Sequence, residues 1–64
     1  MTDQEILRLA FHGDADDWHR LHELCNDRDF AKRSLLVLEK HKGESPLAVA
    51  SWREYLIEHG LAEP

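Results

Sequence analysis

His19, His22 and Cys25 recur at three-residue intervals, and imidazole and thiolate are the groups that ligate zinc or build a nucleophile. On a helix, an i, i+3 pair such as His19 and His22 shares one face and can share one ion. Zinc needs three or four ligands, however, and at 3.6 residues per turn His19 and Cys25 diverge by roughly 120°. His12, His41 and His59 belong to other segments. The expectation is therefore no metal site, with His22 and Cys25 at a core edge. A Cys25–His22 couple one turn apart could in principle form a thiolate. Catalysis would also need an orienting group, oxyanion donors and a cleft, none of which the sequence displays. The three glycines stand alone, so no glycine-rich phosphate loop is present.

Size argues the same way. A 64-residue chain is expected to form one domain, residues 1–64. A domain of this size buries only about 60% of its unfolded surface, and its stability is expected at roughly 3–5 kcal/mol. A ligand cavity of ~300–1,000 Å³ would consume much of such a core. The expectation is a non-enzyme with no cofactor, working through its surface. The lone Cys25 rules out an internal disulfide. Met1 to Glu5 shows neither a basic stretch nor an apolar run, and nothing in the sequence is long enough to span a bilayer. No leader, no membrane contact and a cytoplasmic location are the expectations.

The elements that position these residues are helical, and no strand pattern appears. Four amphipathic segments are expected as helices over about 3–12, 15–26, 28–42 and 46–59, an all-α four-helix array or bundle. Thr2 with Glu5, and Asp14 with Asp17, fit capping boxes. Asp27 or Asp29 caps the third segment. Ser45 caps the fourth, with Pro46 in its first position. Gly13, Asn26–Asp27, Gly43 and Gly60 are the expected stops, with Gly13 left-handed and Leu61 folding back beyond Gly60 as in a Schellman turn. The expected core stripes are Ile6, Leu7, Leu9, Ala10 and Phe11; Trp18, Leu21 and Cys25; Phe30, Ala31, Ser34, Val37, Leu38 and His41; and Ala48, Val49, Trp52, Tyr55, Leu56 and His59. Leu36 and Ile57 fall outside the stripes.

Charge is unevenly placed. The chain carries a formal net charge of -5. Residues 28–42, with Arg28, Lys32, Arg33, Lys40 and Lys42 against Asp29 and Glu39, form the only basic segment. An acidic whole disfavours non-specific nucleic-acid binding, while one basic segment leaves a narrow exception.

The run Gly43-Glu44-Ser45-Pro46-Leu47-Ala48-Val49-Ala50-Ser51-Trp52-Arg53 resembles the turn and second helix of helix-turn-helix regulators, especially phage-repressor types. Gly43, Ser45, Val49 and Trp52 occupy the positions that carry the pattern, over about a dozen residues. The resemblance implies Ser45, Leu47, Ala48, Ser51 and Arg53 as groove-facing residues of a DNA-binding protein, and a chain of 64 residues is expected to do this as a dimer. Two departures stand against it. Glu44 replaces the usual apolar turn residue, and the early positions of the helix lack the Asn, Gln, Arg or Lys that read base edges.

The leading expectation is a small acidic helical binding protein that docks on another protein as an adaptor, inhibitor or regulatory subunit. Leu36 and Ile57 would be its apolar contacts, with Lys32, Arg33 and Lys40 around Leu36. A basic partner would suit the acidic segments. A homodimer is compatible with either reading.

Overall fold

A computed structural model describes all residues, Met1–Pro64. It contains four helices and no strand: α1 (Asp3–His12), α2 (Ala15–Leu24), α3 (Arg28–Lys40) and α4 (Pro46–Glu58). The all-α four-helix array expected from the sequence is what the chain forms.

Each helix starts where its cap dictates. The Thr2 hydroxyl accepts from the Glu5 N–H at 3.2 Å, and a Glu5 carboxylate oxygen accepts from the Thr2 N–H at 3.4 Å. Asp14 and Asp17 repeat this box at the head of α2. At α3 the cap is Asp27, not Asp29: its Oδ1 accepts from the N–H groups of Asp29 and Phe30. The Ser45 Oγ accepts from the Ala48 N–H at 3.3 Å. Each bond satisfies a donor that the first helical turn cannot, worth about 1 kcal/mol per cap.

The stops depart from expectation more than the starts. Helices α2 and α3 end two residues early and α4 one residue early. The Cys25 N–H is shared between the Leu21 and His22 carbonyls, and the His41 and Lys42 N–H groups turn to Leu38 and Glu39, three residues back. These i→i+3 bonds tighten the last turns and end the α-helical ladder before Asp27 and Ser45 take over. Gly60 alone is left-handed, at φ 69°. There the Leu61 N–H reaches the Leu56 carbonyl at 2.7 Å and the Gly60 N–H reaches that of Ile57 at 3.0 Å, a full Schellman closure. Gly13 corrects the expectation: it is extended, at φ −85°. Its need is steric, because a Cβ there would run into the Leu9 carbonyl and lie 2.7 Å from the Asp17 Cβ.

Helix α1 packs on α2 and α3, and α3 packs on α4. One core of eleven apolar residues results, centred on Ile6, Leu21, Ala31, Leu38, Trp52 and Leu56, none of which has any exposure. Leu7 and Phe11 pack against it, so the wide α1 stripe is largely used internally. His41 and His59 were expected on core stripes and are exposed instead, because both fall one residue past their helices.

Ser34 is the one buried polar residue. Its Oγ accepts from Trp52 Nε1–H at 2.9 Å and donates to the Ala31 carbonyl at 2.8 Å. No buried side-chain nitrogen or oxygen lacks a partner. Ser34→Ala leaves the indole N–H buried and unpaired, with an expected cost of about 1–3 kcal/mol in urea denaturation. Adding Trp52→Phe should cost clearly less than the sum of the two single changes. Strict additivity across the four proteins would show that this bond contributes nothing.

Candidate protein-docking groove

Leu35 and Leu36 are consecutive on α3, so they point about 100° apart. Leu35 leans on the core edge, while Leu36 stands 60% exposed. The Gly60 closure carries Leu61 and Ala62 back beside α3. Between them lies a groove of about 670 Å³ lined by Leu35, Leu36, Leu61 and Ala62, with Lys32, Glu39, Arg53 and Glu63 at its rim. A second hollow of about 310 Å³ continues along the α3–α4 seam, from Lys42 to Pro46, Val49 and Ala50. Glu39 and Arg53 line both, and their side chains approach to 3.9 Å across the seam.

The residues expected to bind a partner separate into two groups. Leu36 and Lys32 line the groove. Arg33 does not: its Nε and Nη2 both donate to Asp3 Oδ1, at 2.9 and 2.7 Å, which ties α3 to the start of α1. Lys40 does not line the groove but is exposed one helical turn on from Leu36, and Ile57 is partly buried rather than exposed. Of the residues implied by the helix-turn-helix resemblance, Leu47 (79% exposed), Ser51 and Arg53 lie on the surface. Ser45 is engaged as a cap and Ala48 is partly buried. The contribution of Ala62 and Glu63 was missed. The Gly60-Leu61 stop was its only sequence signal, and that signal fixed a fold-back without fixing which helix would receive it.

Of the histidine and cysteine set, His22 stacks against aromatic rings of α4 and Cys25 lies in the core. The His22 ring stacks on Tyr55 at 3.8 Å between centroids and lies parallel to Trp52 at 5.3 Å. Tyr55 also meets His59 at 4.3 Å, and Trp18 meets Trp52 edge-on at 5.4 Å. These rings join α2 to α4. His19 stands perpendicular to His22 at 6.0 Å. No group of three or more His, Cys, Asp or Glu side chains has metal-holding geometry. Cys25 is buried, and burial pushes its thiol up to about 11, so it stays protonated at neutral pH. Burial likewise raises the Tyr55 hydroxyl, with Cys25 adding to the shift.

No protein-family model, curated protein or solved structure matches the chain.

Burial lowers the His22 pKa below its ordinary value of 6.5, and the neighbouring His19 and His59 lower it further. As pH falls below 6.5 the unfolded chain takes up a proton at this residue before the folded one does. The contribution of His22 is therefore intact above pH 6.5 and is lost as pH drops through the lower folded value. Urea midpoints should decline from pH 7 to pH 5, and His22→Phe, which keeps a stacking ring, should flatten that decline. An equal decline in the variant would assign it to other groups.

Proposed function

We propose that the protein acts by docking on another protein through the α3–tail groove, as an adaptor, inhibitor or regulatory subunit. The observation that carries this reading is Leu36, 60% exposed at the groove. Lys32, Arg33, Glu39 and Lys40 surround it at helical neighbour spacings. Aliphatic stems around an apolar centre can exclude water from a docked side chain while their charges stay wet. An open groove on a domain this small suits a partner's side chains better than an enclosed substrate. The protonated Cys25 thiol and the stacked His22 ring offer no activated nucleophile.

The nucleic-acid reading has less support. Leu47 and Ser51 share their exposed face of α4 with Glu54 and Glu58, at spacings of four, three and four residues. Carboxylates on that face would repel phosphates, and Arg53 already faces Glu39. Anisotropy of a labelled mixed-sequence duplex should show no salt-sensitive binding at low ionic strength. Micromolar binding that collapses with added salt would transfer the function to DNA.

The docking surface is tested by immobilising the domain and its variants and identifying retained proteins by mass spectrometry. A specific partner should be held equally by wild type and by Leu24→Asp, at an exposed leucine of α2, and lost at least about tenfold with Leu36→Asp, the loss expected of a central contact. Equal retention by all three would remove the groove from the function. Circular dichroism should be unchanged, since Leu36 lies outside the core.

A further inference from the structure

We infer that the groove is filled by a second copy of this chain, paired about a two-fold axis parallel to the α3–α4 seam. This rests on the docking reading of the same groove and names its occupant.

The charges along the seam carry the inference. Lys32 and Lys42 on the α3 side and Glu63 on the tail line the two hollows. Lys40 lies two turns on from Lys32, and Glu54 and Glu58 lie one and two turns on from Ala50, which lines the second hollow, so exposed lysines flank the seam on α3 and exposed glutamates flank it on α4. The apolar groove and the Glu39–Arg53 pair lie between. A uniformly basic partner would meet the lysine edge, and a uniformly acidic one the glutamate edge. The complementary surface is one with the two edges exchanged. A two-fold rotation about an axis along the seam produces that exchange and keeps the two ends of the seam in register. Helices α3 and α4 run antiparallel, since Lys32 lies by the Gly60–Glu63 turn and Lys42 by Pro46. Lys32 then comes level with the partner's Glu58, and Lys40 with the partner's Glu54. Leu36 falls between them.

Charge also selects this face among the others. The chain carries -5 overall, so most approaches of two copies are repulsive. Along the seam, Lys32, Lys40, Lys42 and Arg53 balance Glu39, Glu54, Glu58 and Glu63. The acidic helix α2 packs against the other flank of α4, where Trp18 meets Trp52 and His22 meets Tyr55. Pairing across the seam leaves α2 outside the interface.

Sedimentation equilibrium of the full chain at low and moderate salt tests this with two variants. One is Lys32→Glu with Lys40→Glu, and the other is Glu54→Lys with Glu58→Lys. Wild type should sediment at twice the chain mass at high protein concentration. Each variant alone should dissociate at least about tenfold more readily, because like charges then meet at both edges. An equimolar mixture should recover the dimer, because each altered edge meets its complement. A monomeric wild type at millimolar concentration overturns the inference. So does a dimer that survives in either variant, or a mixture that fails to reassociate. A monomer that still loses a captured partner on Leu36→Asp overturns self-pairing alone and leaves groove docking in place. A monomer whose captures ignore Leu36→Asp overturns both.

Discussion

The hydrogen bond from Trp52 to Ser34 is the constraint on which the arrangement turns. A fully buried indole must find an acceptor for its N–H, and Ser34 supplies it while passing its own proton to the Ala31 carbonyl. This relay sets the rotation of α4 against α3. With Trp52 inward, Val49 and Leu56 follow it into the core, Arg53 turns to the seam, and Leu47, Ser51, Glu54 and Glu58 are left to solvent. The same ring receives Trp18 edge-on and His22 in parallel, so α2 is aligned by the residue that aligns α4.

The surface follows from that rotation. Leu36 is displaced from the core because its neighbours Ala31, Ser34 and Leu38 take the inward positions of α3. The left-handed Gly60 then returns the chain, and Leu61 and Ala62 become a third wall where a straight helix end would leave a ledge. Exposed ion pairs contribute little, about 0–1 kcal/mol each. Arg33–Asp3 and Arg53–Glu39 matter more for where they hold charge than for stability. They withdraw two of the cations that a phosphate-binding surface would need, and they leave Lys32 and Lys40 free beside Leu36.

Local signals were legible to the residue where one side chain meets the nearest backbone. Thr2, Asp14 and Ser45 were readable as caps because a capping bond spans only three residues. Helix ends were less so, since i→i+3 bonds compete closely with the next cap, and α2 and α3 lost two residues each that way. The glycines illustrate the limit. Gly13, Gly43 and Gly60 read alike as stops, yet only Gly60 is left-handed, while Gly13 is required by the crowding of Leu9 and Asp17. His41 and His59 continue the helical period and still leave the core, because the period ends when the helix does.

The sequence by itself determined the all-α class, the four segments, their starts and most of the core stripes, together with Leu36 as an outward leucine. Those properties depend on spacings within one or two helical turns. Tertiary structure alone decided which surfaces those residues make. Arg33 is claimed by Asp3 from thirty positions away, Trp52 finds Ser34 eighteen positions earlier, and Leu61 and Ala62 close a groove on a helix that ends at Lys40, twenty-one residues before Leu61. Contacts at such separations depend on how whole helices turn against one another, and no spacing along the chain encodes that turn.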